Sequence, residues 1–191
     1  MRETVSGTKG QYCLFDTAFG RCGIGWGDAG VRHFQLPSAD IEADEARLRE
    51  LTGAAGPGTP PPVMAKAIAD LIAYFDGAAT DFSTLAVDLS AVEPFYRKVL
   101  MAAREVSWGE ISSYGALARE VADDVAVSRA VGQAMGRNPV PVIIPCHRIL
   151  TADGQIGGFS APGGTITKKR LLELEGALHK TPALAQIAFD F

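Results

Sequence analysis

Cysteine is scarce in this chain: 3 among 191 residues, none in a CxxC pair. That excludes a disulfide framework and fits a reducing compartment. Long apolar runs are missing too. No stretch approaches the roughly 20 residues needed to span a bilayer, and residues 1–5, MRETV, lack the apolar core of a secretory signal. The expectation is a cytoplasmic protein that meets no membrane. Basic charge is also short, with 18 Lys and Arg against 22 Asp and Glu. The shortage is uneven: residues 1–91 carry 7 basic and 12 acidic groups, residues 92–180 carry 11 and 9. Any polyanion would therefore be met by the second half, with modest and salt-sensitive affinity. What is present is ordinary for a globular protein, 47 % hydrophobic residues in a length that fits one domain or two small ones.

The chain divides near Ser90. Residues 1–90 read as an α+β unit. Residues 12–15, a turn near Phe19-Gly20, the alternating Cys22, Ile24 and Trp26, a Gly27-Asp28-Ala29-Gly30 turn and residues 31–36 predict a small antiparallel meander. Ser38 is expected to cap a polar helix to about Leu51, followed by a surface loop, GAAGPGTPPP. Val63, Ala67, Ile68, Leu71, Ile72 and Phe75 then recur at helical spacing, and Leu85, Val87 and Leu89 alternate as a short strand. Cys13, Cys22 and His33 lie in the meander without paired ligand spacing or an evident fourth ligand. No metal is expected there, and all three read as packing or surface residues.

Residues 91–180 read as helical, with residues 181–191 as a tail. Pro94 suits a helix start, and Phe95, Val99, Ala102 and Val106 share one face. Ser113 can cap a second helix carrying Tyr114, Leu117, Ala118 and Val121, and Asp124 a third over residues 125–137. Two short helices joined by a tight turn suggest helix-turn-helix. In the third helix Val127, Ala130, Val131, Ala134 and Met135 form the apolar stripe. Arg129, Gly132, Gln133 and Gly136 are left on a nearly bare opposite face. An interior helical Gly costs about 1 kcal/mol against Ala, so two on one face point to close approach, either by a partner such as DNA or by another packed element.

Residues 138–150, NPVPVIIPCHRIL, hold Cys146. Residues 140–144 read as a core strand that Pro145 ends, with Cys146 opening a turn. Backbone N–H groups and helix-dipole charge at such a position lower a thiol pKa, and His147 can hold the proton, so Cys146 is a candidate nucleophile. The alternative is inert buried filling; the flanking His147 and Arg148 favour the nucleophile. Next comes a loop, GQIGGFSAPGG, with Phe159, a pocket wall or a core residue, beside Ser160. In the last helix, residues 167–175, Lys169 and Glu173 make a solvated pair. Glu175 shares the stripe of Leu171 and Leu172, points inward and needs a partner, for which His147 is the obvious group.

Asn138-Pro139-Val140-Pro141 and Ile144-Pro145-Cys146-His147-Arg148, with SYGALA, SRAVGQAMGRNP, GGFSAPGG and LLELEG in order across residues 95–176, resemble the O6-alkylguanine-DNA alkyltransferases. The resemblance implies a ribonuclease-H-like N-terminal domain and a helical DNA-binding domain. It implies that Cys146 takes the alkyl group from O6-alkylguanine in double-stranded DNA, with a relay through water and His147 to Glu175. Asn138 would hold the turn, and Tyr114 would help neutralise the departing guanine. Arg129 would lie on a recognition helix in the minor groove and fill the gap left by a flipped nucleotide, with Gly132, Gln133 and Gly136 facing the DNA. Met135, Ile149, Phe159 and Ser160 would surround the flipped base. Many members carry tyrosine where this chain has Phe159; stacking survives that change, and any phenol hydrogen bond is lost. Some relatives hold a structural zinc in the N-terminal part. The resemblance implies no cofactor, a monomer, and one reaction per molecule because a thioether is not readily hydrolysed. Two other functions fit similar residues: a lesion-sensing module, against which the presence of Cys146 speaks, and a Cys-His-Glu hydrolase that turns over many times.

Overall fold

The computed structural model describes residues 10–178. The chain start, residues 1–5, and the expected tail, residues 181–191, lie outside the described residues. Strands β1 (Gln11–Thr17), β2 (Gly20–Gly27) and β3 (Gly30–Gln35) form the expected antiparallel meander, in that order. The middle strand explains how helices sit on both sides of it. Cys22, Ile24 and Trp26 point into the main core. Gly23 opens the other face, because a Cβ there would stand 2.1 Å from the Leu48 side chain. Helix α1 (Ile41–Thr52) uses that opening to lie directly on the sheet. It is capped by Asp40, which accepts the Ala43 N–H, whereas Ser38, the expected cap, only braces Asp40 through its hydroxyl. Helix α2 (Pro62–Phe75) buries Met64, Leu71, Tyr74 and Phe75 in the main core. Truncating the fully buried Leu71 to alanine would cost about 2–5 kcal/mol.

The expected strand through Val87 shrinks to one parallel bridge with Val31. Asp88 ends the pairing: its carboxylate accepts the Ser90 N–H at 3.0 Å and meets Arg32 at 2.7 Å, which turns the chain away. Beyond it come α3 (Pro94–Arg104), capped by Glu93, and α4 (Tyr114–Ala122), capped by Ser113 as expected. The buried side of α3 is Val99, Leu100 and Ala103, one step round from the expected stripe. Asp124 caps a 3-10 turn over Val125–Val127, and α5 (Ser128–Gly136) follows it, shorter than the expected helix. The chain ends its described part with α6 (Gly164–Leu174), which starts before the expected Thr167. Two short parallel strands, β4 (Ser112–Ser113) and β5 (Ile149–Leu150), tie the start of α4 to the segment after Cys146.

Residues 140–144 are not a strand. Pro139 and Pro141 have no N–H for a ladder, Val142 takes φ 73°, and the Ile144 N–H closes onto the Val140 carbonyl at 2.9 Å. The segment is a tight turn, buried throughout. It stays buried because Asn138 serves its polar groups, as described below, and because one apolar cluster runs from Ile24 and Phe34 of the sheet through Val99 and Val131 to Ile143 and Leu171. The site hangs from this cluster.

Candidate active site

Cys146 opens a three-residue 3-10 turn, Cys146–Arg148, and is 5 % exposed. Asn138 binds the tight turn to it: Nδ2 donates to the Ile144 carbonyl at 2.8 Å and lies 3.2 Å from Cys146 Sγ, while Oδ1 accepts the Val140 N–H at 3.0 Å. Burial pushes the Cys146 thiol above its ordinary value, and the Asn138 hydrogen bond and the Lys168 charge offset only part of that. The expectation of a thiol lowered by its turn is therefore corrected. A turn of three residues carries little dipole, and desolvation of the sulfur outweighs it. The resting group is a thiol, and it needs a base.

Behind the sulfur sits a buried charged network. His147 is fully buried, and its Nε2 lies 2.8 Å from Glu175 Oε1. Arg148 donates to both Glu175 oxygens, at 2.8 Å from Nε and 2.9 Å from Nη2, and the Tyr74 hydroxyl donates to Oε1 at 2.6 Å. Burial alone would raise the Glu175 carboxyl, but the hydrogen bonds and charges of His147 and Arg148 prevail and bring it down to about 2. Burial lowers His147 below its ordinary value, and Glu175 opposes this only partly, so the imidazole is neutral at pH 7. With Nε2–H given to the carboxylate, Nδ1 is the free acceptor; it is buried and has no hydrogen-bond partner among the described residues. A neutral imidazole fixed by a carboxylate is the form a proton acceptor needs.

In front of Cys146 is a cavity of about 480 Å³ lined by Tyr114, Gly132, Met135, Gly157, Phe159 and Ser160 among others. Tyr114 begins α4 and is set there by the β4–β5 pairing. Gly157 makes room for its hydroxyl, since a Cβ would stand 3.2 Å away. Burial raises the Tyr114 phenol, so it is a proton donor. Phe159 is half-buried against the core and Ser160 is exposed. Ile149 is fully buried outside this lining, and its carbonyl already accepts from Lys168 Nζ at 2.6 Å. On α5, Arg129, Gln133 and Gly136 are exposed and Gly132 is partly so. A Cβ at Gly136 would meet nothing within 4 Å and one at Gly132 only the Tyr114 ring at 4.0 Å. Close packing on another element is thus not the reason for these glycines. Gln133 accepts from the Tyr96 hydroxyl at 3.0 Å.

Two members of the site, Tyr74 and Lys168, leave no signal that the sequence reading uses, and a third, Arg148, is seen there only as a charge beside Cys146. Tyr74 lies on the buried stripe of α2, where a phenol tip demands a partner. Lys168 shares the α6 stripe of Leu171, Leu172 and Glu175, the same spacing that turned Glu175 inward. It is fully buried, with Nζ 5.7 Å from the Tyr114 ring centroid, and burial lowers it to about 8 while the neighbouring Cys146 opposes the shift. Arg148 reads from the sequence only as a neighbour of Cys146. Cys13 and Cys22, in the meander, are thiols raised by burial to about 11 and about 12. No group of three or more His, Cys, Asp or Glu among the described residues stands close enough to hold a metal ion.

A buried thiol with a carboxylate-fixed imidazole next to it in the chain and an open cavity before it is the arrangement a cysteine nucleophile would use. Residues 94–177 match the family described as 6-O-methylguanine DNA methyltransferase, DNA binding domain. The chain is 36 % identical over 193 residues to the methylated-DNA–protein-cysteine methyltransferase of Cricetulus griseus, covering 96 % of this chain and 88 % of that one. It is 40 % identical over 112 residues to the protein of that name from Metallosphaera sedula, covering 58 % of this chain and 67 % of that one. Among solved structures it resembles Mycobacterium tuberculosis OGT in complex with DNA, with a TM-score of 0.66, 30 % identity and coverage of 86 % and 92 %. The chain belongs to the methylated-DNA–protein-cysteine methyltransferases, enzymes that repair DNA by alkyl transfer.

Proposed function

We propose that this protein reverses O6-alkylation of guanine in duplex DNA in a single turnover per molecule, with Cys146 as acceptor. The observation that carries the reading is the sulfur between two unlike surroundings, a fixed neutral imidazole behind and a cavity in front. His147 Nδ1 takes the thiol proton through a water, and the Glu175 carboxylate stabilises the imidazolium that forms. The thiolate attacks the alkyl carbon, the S–C bond forms as the C–O6 bond breaks, and the electron pair leaves with guanine. Tyr114 donates a hydrogen bond to that departing base, and the Lys168 cation favours both the thiolate and the developing charge. Asn138 holds the sulfur and the preceding turn in one unit. The thioether product is not hydrolysed, so the protein is consumed.

The open face of α5 supports a DNA-facing role. Gly132 and Gly136 let a duplex approach the backbone, Gln133 lies beside them, and Arg129, which has no hydrogen bond or ion pair among the described residues, fills the stack when the nucleotide flips. In this reading α4 and α5 form a helix-turn-helix that enters the minor groove. Met135, Phe159 and Ser160 enclose the flipped base, and the backbone at Ile149 lies by its amino group. The protein acts as a monomer of two domains, residues 1–90, ribonuclease-H-like, and residues 91–180. O4-alkylthymine is a second, smaller substrate for the same cavity.

The test is Cys146→Ser, assayed for binding to and methyl transfer from a duplex carrying O6-methylguanine. The variant is expected to bind and not to transfer, because a hydroxyl is a far weaker nucleophile at neutral pH. Transfer by this variant would remove Cys146 from its role.

A further inference from the structure

Tyr74 reaches the buried network from α2, in the N-terminal part of the chain, and is fully buried. Its ring stands edge-on to Trp108, with centroids 5.1 Å apart, and 5.9 Å from Phe82. A phenylalanine would fill the same space, and a hydroxyl taken out of water costs free energy unless it is bonded. This hydroxyl has a place made for it. It donates to Glu175 Oε1 at 2.6 Å and stands 3.3 Å from His147 Nε2. Burial and the Glu175 charge push the phenol well above its ordinary value, so the proton stays on the oxygen and donation to the carboxylate is fixed.

Glu175 Oε1 is crowded. It meets the Tyr74 hydroxyl at 2.6 Å, His147 Nε2 at 2.8 Å and Arg148 Nη2 at 2.9 Å, whereas Oε2 takes Arg148 Nε at 2.8 Å and the Gly109 N–H at 3.4 Å. An ionised carboxylate offers about two lone pairs on each oxygen, so the donors on Oε1 compete, and each weakens the hold of the others. What Tyr74 takes, His147 does not receive. The carboxylate raises the imidazole's affinity for a proton, and burial with the Arg148 and Lys168 charges opposes it. The groups that face His147 are Glu175 and Lys168 from α6, Cys146 and Arg148 from its own turn, and Tyr74 from α2. Of these Tyr74 is neutral and lies outside the sulfur's own turn, so its hydroxyl can be removed without changing the charge of the site.

We propose that Tyr74 is a positioning residue for the proton transfer: by occupying part of Glu175 Oε1 it limits the carboxylate's hold on His147 and keeps the imidazole neutral, with Nδ1 free to take the Cys146 proton. The inference rests on the alkyl-transfer reading above and goes beyond it by giving a helix of the N-terminal part a share in the chemistry. The proton that moves is still the thiol proton, from Sγ through water to Nδ1, and Tyr74 neither gains nor loses one. It acts on the sulfur only through Glu175 and His147.

The experiment measures the single-turnover rate of methyl transfer from a saturating duplex carrying O6-methylguanine, from about pH 7.5 down to the ordinary imidazole value of 6.5, with the His147 ring titrated by NMR in parallel. The wild-type rate is expected to stay flat. Tyr74→Phe keeps the ring and its packing, and its rate should fall by about fivefold over the same span, the scale of one hydrogen bond, while His147 takes up its proton at a higher pH than in the wild type. Phe82→Leu loosens the packing around the Tyr74 ring and leaves the hydroxyl; it should lower stability and keep the flat profile. A flat profile in Tyr74→Phe, or a loss that is the same at every pH, would overturn the proposal. The wild-type protein gives a test that does not depend on the variant's folding: the Tyr74 hydroxyl proton should exchange slowly and lie close to the His147 ring in NMR, and a rapidly exchanging one would also overturn the proposal. Failure of the wild-type protein to move the methyl to Cys146, or a wild-type rate that itself falls across the span, would instead overturn the reading beneath it.

Discussion

The back and the front of Cys146 are opposites. Behind it, His147, Arg148, Glu175 and Tyr74 are buried and bonded to one another at 2.6–2.9 Å across three elements. In front, α5 offers an exposed arginine, Gly136 with open space above it, Gly132 facing the Tyr114 ring at 4.0 Å, and a cavity. The back is closed within the chain except at His147 Nδ1, which has no partner among the described residues, and the front is open. Buried charge is tolerated where it is paired and hydrogen-bonded, as the Arg148–Glu175 pair is. Changes at the back should therefore act on folding and on the proton path together, and changes at the front should weaken the use of DNA without loss of stability.

The largest expected effect is at the back. Glu175→Leu strands the Arg148 charge and two other polar tips, and should destabilise the fold by about 3–5 kcal/mol in chemical denaturation. A loss under 1 kcal/mol would mean the network is not structural. Acid should act along the same path. The folded Glu175 carboxyl, about 2, lies below its ordinary 4.5, so its stabilisation is present above pH 4.5 and is lost as pH falls toward 2. His147 is likewise depressed, so some stability is lost from the ordinary imidazole value of 6.5 downward. The same depression predicts that the transfer rate stays flat as pH falls from 7.5 through 6.5, where an unperturbed imidazole base would lose half its active form. A rate that halves there would show His147 to be ordinary.

At the front the sign of the comparison should reverse. Arg129→Ala should lower transfer from duplex by roughly tenfold, the scale of a stacked or ion-paired arginine, with little loss on free O6-methylguanine base. Equal losses on both would assign Arg129 to folding. The smallest effect is the sharpest: Gly132→Ala should raise stability by up to about 1 kcal/mol through helix propensity while weakening duplex binding. A variant both more stable and equally tight on DNA would mean that nothing approaches that backbone.

How much of this was legible in the chain follows from the kind of signal each part leaves. The meander, α2, the Ser113 cap and the inward turn of Glu175 carry local periodicity or capping chemistry, and the sequence displays them. Residues 140–144 do not: five consecutive apolar residues read as a strand, and only the two prolines and the positive φ of Val142 make them a turn. The raised thiol is not legible in the sequence, because adjacency announces a dipole and an imidazole, while desolvation depends on packing from distant elements. Tyr74 reaches Glu175 across 101 residues, a pairing no local pattern encodes. Lys168 was legible, since it shares a stripe with Leu171 and Leu172, and the test applied to Glu175 applies equally to it.

The most direct test of the central claim is the intact mass of the protein after incubation with excess duplex carrying O6-methylguanine, followed by peptide mapping. The account predicts one methyl per chain, on Cys146, with repair ending once every chain is modified. Continued turnover on an unmodified protein, or a methyl on any other residue, would contradict it.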